Sequence, residues 1–259
     1  MSDETFVKTR EEGRLLIVEM NRPERMNALH PPANEAMAKI FDDFASNPDL
    51  WVAIVTGTGD RAFSAGNDLR WQAEGNPIYT PESGFGGLTS RYDLDKPVIA
   101  AVNGVAMGGG FEIALACDII LASDTARFAL PEPKVGLAAL AGGLHRLPRQ
   151  IGLKRAMGMI LTGRTVTAEQ GEHLGFVNAV VPAEKLMDTA RIWAEMILAC
   201  SPMSVRASKQ AVMQGLNIAD YKEAFETRYP AVGAMLKSED MIEGPRAFAE
   251  KRKPNWSGK

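Results

Sequence analysis

Residues 97–118 read PVIAAVNGVAMGGGFEIALACD. Pro97 to Val102 is a short unbroken apolar run closed by Asn103-Gly104, which reads as a buried strand and its turn. Three successive glycines, Gly108 to Gly110, then lead into an apolar helix that ends near Asp118. The same grammar recurs on both sides. Asp118 to Ala122 is a further short apolar strand, Trp51 to Thr56 (WVAIVT) is one stopped by Gly57-Thr58-Gly59, and Arg14 to Met20 (RLLIVEM) is one stopped by Asn21-Arg22-Pro23. Between the last two, Pro31 and Pro32 suit the first turn of a helix, and Met37, Ile40, Phe41 and Phe44 repeat along one face of it. Strands that are apolar throughout, rather than alternating, are covered on both faces. Strand and helix in alternation predict an α/β protein.

Past about residue 182 turn signals thin out and helical patterns take over. Leu186, Ala190, Trp193, Ile197 and Cys200 form one apolar stripe in a helix that Pro182 can start and Ser201-Pro202 would end. Two or three further helices are expected between Pro202 and Arg252. The expected organisation is an α/β core over residues 1–195 and a helical region over 196–259.

The chain has 259 residues, 46% of them hydrophobic and 24% charged, as expected of a chain that buries a proper core. With Lys+Arg 29 against Asp+Glu 32 there is no basic excess of the kind nucleic-acid binding requires. Cys117 and Cys200 both fall in apolar helical stretches and read as buried free thiols in a reducing compartment. The first twelve residues lack the basic-then-apolar order of a signal peptide, and Glu112 and Asp118 interrupt the richest apolar run, so no membrane span and a cytoplasmic location are expected. Glycine is the unusual number: 24, where average usage gives roughly 18.

Glycines inside a helix cost about 1 kcal/mol each relative to alanine. Gly108 to Gly110 therefore make sense where backbone must approach something closely or leave an N–H free for a ligand, and Glu112 follows in the first turn. The alternative is plain helix packing with a carboxylate at the positive end of the helix. Arg61 to Leu69 (RAFSAGNDL) is a second glycine-bearing turn, equally readable as a surface turn with an Asx cap. In Phe128 to Leu137 (FALPEPKVGL) two prolines flank Glu132 and stiffen the segment that carries it, although an exposed loop glutamate would look the same. GGG is not the G-x-G-x-x-G of a dinucleotide fold, and no phosphate-binding G-x-x-x-x-G-K-[ST] occurs. His30, His145 and His173 are scattered, so a zinc site has little support. Ser64, His145 and Asp118 could be drawn as a triad, but Ser64 lacks the nucleophile-elbow motif. Arg146, Arg149, Lys154, Arg155 and Lys251-Arg252-Lys253 read as solvated helix faces, the alternative being contacts to an anionic substrate tail.

Taken in order, these stretches resemble the crotonase superfamily, the enoyl-CoA hydratase/isomerase family. The resemblance rests on Asn21-Arg22-Pro23 with Asn27-Ala28-Leu29, Ala62 to Leu69, Lys96 to Asp118, Phe128 to Gly136, Gly142-Gly143 with Arg146-Leu147-Pro148, and Glu243 to Pro254. Within the family it is strongest to the carnitinyl-CoA dehydratase-like hydratases, through Gly84 to Thr89, Gly108 to Ala116 and Glu239 to Trp256. The resemblance implies a spiral of ββα units, C-terminal helices that build trimers or dimers of trimers, an acyl-CoA thioester substrate, and neither metal nor redox cofactor. It places an oxyanion hole at the Asn67 and Gly109 N–H groups, catalysis at Glu112 and Glu132, and CoA contacts at Met26, Ala28, Ala65, Gly66, Asp68, Leu69 and Gly108. Arg22, Arg25 and Lys251 become candidate phosphate partners. The implied activity is reversible hydration of a 2-enoyl-CoA, the alternatives being an isomerase, a hydratase-lyase, or an inactive CoA-binding protein. Two departures stand out: Leu137 to Ala141 (LAALA) replaces the family's usual proline and acidic residue, and Asn67 replaces a common alanine.

Overall fold

The structure is a computed structural model that describes residues 6–259. Residues 1–5, part of the amino-terminal stretch read above for a targeting signal, lie outside the described residues. A hairpin of β1 (Val7–Glu12) and β2 (Leu15–Met20) comes first, turned at Gly13, and α1 (Pro31–Ser46) follows with both prolines in its first turn. Three units of two strands and a helix come next: β3 (Val52–Gly57), β4 (Ala62–Ser64) and α2 (Leu69–Ala73); β5 (Val98–Val102), β6 (Val105–Met107) and α3 (Gly109–Ala116); β7 (Ile119–Ser123), β8 (Arg127–Ala129) and α4 (Gly143–Ile151). After α5 (Leu153–Thr162), β9 (Val166–Thr167), α6 (Ala168–Leu174) and β10 (Ala179–Val181), the chain is helical: α7 (Leu186–Leu198), α8 (Pro202–Gly215), α9 (Tyr221–Glu226), α10 (Pro230–Met235) and α11 (Glu239–Ala249).

The large sheet runs β1-β2-β3-β5-β7-β10, antiparallel only at β1/β2, and the small sheet runs β4-β6-β8-β9 with β9 antiparallel. Each unit therefore lies beside its predecessor in both sheets, which is the ββα spiral that the resemblance implies.

Register explains the continuous apolar runs. Ile17, Ile54, Ile99 and Ile119 are aligned across four strands, and so are their neighbours Val18, Val55, Ala100 and Ile120. Adjacent residues of a strand face opposite ways, so the first row packs under α7 with Leu186, Ala190 and Ala194, and the second joins the main core with Phe41, Phe63, Phe111 and Phe128. β1 escaped sequence reading because its VKTREE is a charged edge with only Val7 fully buried. The strands of the small sheet are two or three residues long, too short for a periodic signal. The thiols divide: Cys117 is buried, whereas Cys200 is exposed. The stripe that suggested burial of Cys200 continues through Ala194 and fades at Ile197; α7 stops at Leu198, so Cys200 lies in the turn before α8.

Lys96 holds the sheet to α1. Its side chain is almost wholly buried, and Nζ donates to the Phe44 carbonyl at 2.7 Å and the Asn47 carbonyl at 2.6 Å, acceptors that the end of a helix leaves without intrahelical partners. Hydrogen bonds to charged groups contribute about 1.5–3 kcal/mol. Lys96→Met is expected to lower the free energy of unfolding by about 2 kcal/mol in urea titrations at fixed protein concentration.

Candidate active site

The site begins where β4 ends. Buried Ser64 donates from Oγ to the Asn27 carbonyl at 2.8 Å and accepts the Gly66 N–H at 3.1 Å, which bends the chain sharply after the strand. Gly66 has φ +87°, and a Cβ there would stand 2.7 Å from the Met107 carbonyl oxygen and 2.8 Å from the Gly109 nitrogen. The segment then pairs with Leu29: the Leu29 N–H meets the Gly66 carbonyl at 2.8 Å and the Asp68 N–H meets the Leu29 carbonyl at 3.0 Å. Successive amides of an extended segment point to opposite sides, so the Asn67 N–H points away from Leu29 and bonds to no protein acceptor among the described residues.

The three glycines of residues 108–110 each face a different neighbour. A Cβ at Gly108 (φ +53°) would lie 2.9 Å from Glu132 Oε1, one at Gly109 would lie 2.5 Å from the Phe85 ring, and one at Gly110 would strike the Ser64 carbonyl. Gly109 is also the first residue of α3, where an N–H has no helical acceptor, and it donates to no other group among the described residues. The glycines thus serve close packing and at the same time leave one N–H without an acceptor. Asn67 and Gly109 carry two uncommitted N–H donors on turns that Gly66 brings into contact.

Two carboxylates flank these turns. Glu112, one turn into α3, is 3% exposed, and its Oε1 accepts the Gly143 N–H at 2.8 Å. Burial raises its pKa from 4.5 to about 7; the Glu132 charge pushes the same way, and the Gly143 and Ala141 amides and the Arg146 guanidinium oppose. Glu132 sits in the tight turn Glu132–Val135 after Pro131, half-buried, and burial raises its pKa as well. Its Oε2 is enclosed and without a hydrogen bond among the described residues, while Oε1 is the oxygen that faces Gly108. Two raised carboxyls next to two free amides can polarise a carbonyl and move protons on either side of it.

The remaining expected residues divide. Met26, Ala28, Ala65, Asp68 and Leu69 form one neighbourhood: the Ala65 N–H meets the Met26 carbonyl at 2.9 Å, and Arg22 joins the Ala28 carbonyl at 2.6 Å to Asp68 Oδ2 at 2.9 Å. Arg22 is thereby committed within the protein, and Asp68 also caps α2 through the Arg70 and Trp71 amides. Arg25 lies on the same segment, whereas Lys251 follows α11 and no hydrogen bond or ion pair among the described residues joins it to that neighbourhood. The drawn triad is not assembled, because Ser64 is bound to Asn27 and Gly66 while Asp118 pairs with Lys209 at 2.7 Å. Arg146 corrects the reading of a solvated face: Nη2 donates to the Thr89 carbonyl at 2.9 Å from a partly buried position. Phe85 and Thr89 lie in the Gly84 to Thr89 stretch that carries part of the resemblance, but no role was read for them; the signal available was the G-x-G-G cluster at residues 84–87, whose three glycines all have positive φ. No helix among the described residues is long and apolar enough to cross a membrane, and no group of three or more His, Cys, Asp or Glu there is placed to hold a metal ion.

Comparison with known proteins places the chain and its fold in a family. A family model described as enoyl-CoA hydratase/isomerase matches residues 10–259. The carnitinyl-CoA dehydratase of Citrobacter koseri is 43% identical over 258 residues, covering 95% of this chain and 96% of that protein. The protein of the same name from Salmonella agona is 42% identical over 259 residues, with the same coverage. Among solved structures, an enoyl-CoA hydratase from Mycobacterium tuberculosis H37Rv superposes with a TM-score of 0.93 at 37% identity, over 99% of this chain and 100% of that one. One from Bacillus anthracis gives 0.90 at 32% identity, over 98% and 100%. A chain matched along nearly its whole length in both sequence and fold belongs to the enoyl-CoA hydratase/isomerase family.

Proposed function

We propose that the protein catalyses the reversible addition of water to a 2-enoyl-CoA thioester, acting as an enoyl-CoA hydratase and 3-hydroxyacyl-CoA dehydratase. The observation that carries this reading is the placement of two raised carboxyls, Glu112 and Glu132, on either side of the turn that bears the free Gly109 N–H. The thioester oxygen would accept hydrogen bonds from the Asn67 and Gly109 amides, and enolate charge would grow there as water adds. One such donor is worth about 2.7–4 kcal/mol to the transition state. Glu112 takes a proton from water as oxygen joins C3, and Glu132 gives a proton to C2; dehydration reverses both transfers. Neither transfer calls for more than protons, water and the thioester. CoA would rest along Met26, Ala28, Ala65, Gly66, Asp68, Leu69 and Gly108, with Arg25 as a phosphate partner and Lys251 reaching the CoA of a neighbouring subunit. Exposed apolar side chains of the C-terminal region, Val212, Leu216, Phe225 and Phe248, support self-association, which in this reading is a trimer or a dimer of trimers.

Each direction uses the pair with one proton shared between the two carboxyls, and the two directions differ only in which carboxyl holds it. Glu112, the more deeply buried, holds it preferentially, so the resting pair suits dehydration and hydration draws on the other tautomer. The overall reaction exchanges no proton with solvent, so the equilibrium constant ties the two kcat/KM values together and both must follow one pH profile. That profile is expected to fall as pH rises through about 7, where the second carboxyl ionises. A kcat/KM that stays level in both directions up to pH 9 would remove this proton from the mechanism.

Glu112→Gln and Glu132→Gln are each expected to lower turnover by at least about 100-fold, read as loss of enoyl-thioester absorbance with a mass gain of one water. Carnitinyl-CoA and short unbranched enoyl-CoA thioesters are the first substrates to assay. Isomerisation would change the absorbance with no gain in mass.

Burial of Glu112 also acts on stability. Its folded pKa lies above the ordinary 4.5, so the unfolded chain releases this proton first and stability falls as pH rises from about 4.5 to about 7. Glu112→Gln is expected to be more stable than the parent at pH 8, by up to about 3 kcal/mol, with the difference vanishing below pH 4.5 in paired denaturation curves.

A further inference from the structure

Arg146 is a partly buried cation beside Glu112 that the proposed chemistry does not use. It lies one turn into α4, and its side chain folds back over the start of its own helix. Nη2 donates to the Thr89 carbonyl at 2.9 Å, and Nη1 lies 3.5 Å from the Ala141 carbonyl. The 141–143 turn wraps around the guanidinium: Gly142 has φ +104°, and a Cβ there would collide with Nη1. Its neighbour Gly143 gives its N–H to Glu112 Oε1 at 2.8 Å, and a Cβ on Gly143 would come within 3.0 Å of that oxygen.

Among the described residues Arg146 forms no ion pair, whereas Arg91 is paired with Asp42 at 2.8 Å while donating to the Gly87 and Ala38 carbonyls. Arg146 meets two carbonyls, one of them at 3.5 Å, and no carboxylate pairs with it, so its charge is left to act on the groups that face it. The groups that face it are Glu112, Tyr92 and Cys117, and burial holds the Cys117 thiol neutral. Glu112 in turn faces Glu132 as well as Arg146.

We propose that Arg146 is a positioning residue for Glu112: it ties the 84–90 loop to the 141–143 turn, so that the Gly143 N–H meets the carboxylate, and it adds a positive charge that favours the ionised form. This assignment rests on the proposed role of Glu112 in water addition, but its direct readout does not. In protein labelled with 13C at the glutamate carboxyls, with the Glu112 signal identified by its loss in Glu112→Gln, Arg146→Gln should move the Glu112 midpoint upward by about one pH unit. The falling limb of kcat/KM should move with it, kcat should drop by about 10- to 100-fold with a smaller change in KM, and added methylguanidinium should restore part of the loss.

Arg146→Lys, which keeps the charge without the fork, should leave the midpoint near the parent value while kcat stays low; it carries the test if Arg146→Gln does not fold. Arg91→Gln, which loosens the same loop, should lower Tm without moving the Glu112 midpoint. An unchanged midpoint in Arg146→Gln, with a loss of Tm like that of Arg91→Gln, would make Arg146 merely structural and overturn the proposal. A shifted midpoint with unaltered hydration would leave the positioning in place and overturn the role given to Glu112.

Discussion

The contact between Gly66 and Gly109 is the constraint on which the site depends. Two turns from successive ββα units meet there with backbone against backbone, and a single added carbon would stand 2.7 Å from the Met107 carbonyl and 2.8 Å from the Gly109 nitrogen. Everything around the contact serves it. Ser64 bends the chain after β4, the bridge to Leu29 turns the Asn67 amide away from the strand, and Gly110 lets α3 start against the Ser64 carbonyl. The spiral supplies the alignment, since β4 and β6 are neighbours in the small sheet and deliver their terminal turns to the same edge.

The carboxylates belong to a second, opposed design. Glu112 is held where an ionised carboxyl is disfavoured, and a nearby Glu132 makes ionisation harder still. The Gly143 and Ala141 amides and the Arg146 charge offset that cost only in part. A carboxyl that titrates at about 7 rather than 4.5 is useful as an acid or base near neutrality, and the same shift weakens the folded state at that pH. Stability and proton transfer thus pull on one side chain in opposite directions.

Much of this was legible in the chain itself. The rows Ile17-Ile54-Ile99 and Val18-Val55-Ala100 are visible as unbroken apolar runs because both faces of the sheet are covered. Gly108 to Gly110 were readable as a close approach or as plain helix packing, and Glu132 between two prolines as a fixed carboxylate or an exposed loop glutamate; the structure buries it by half. What stayed hidden is what pattern does not encode. β1 is a charged edge strand, and the small sheet is built of strands too short for periodicity. Arg146 reads as a surface cation because its shorter hydrogen bond goes to the Thr89 carbonyl, far along the chain, and Cys200 followed a helical stripe past the point where the helix stops. The pairing of Asn67 with Gly109 entered through the resemblance, and the proximity of Gly66 to Gly109 supports it without any sequence-local signal.

The account stands on the two backbone donors at Asn67 and Gly109, and the most direct test watches the bond they would polarise. An enoyl-CoA labelled with 13C at the thioester carbonyl can be bound to the Glu112→Gln/Glu132→Gln double variant, which cannot turn it over, and its carbonyl stretch compared with that of the free thioester by isotope-edited infrared spectroscopy. Polarisation by two fixed N–H groups predicts a clear shift to lower frequency on binding. A bound thioester whose carbonyl band stays at its free position would contradict the account.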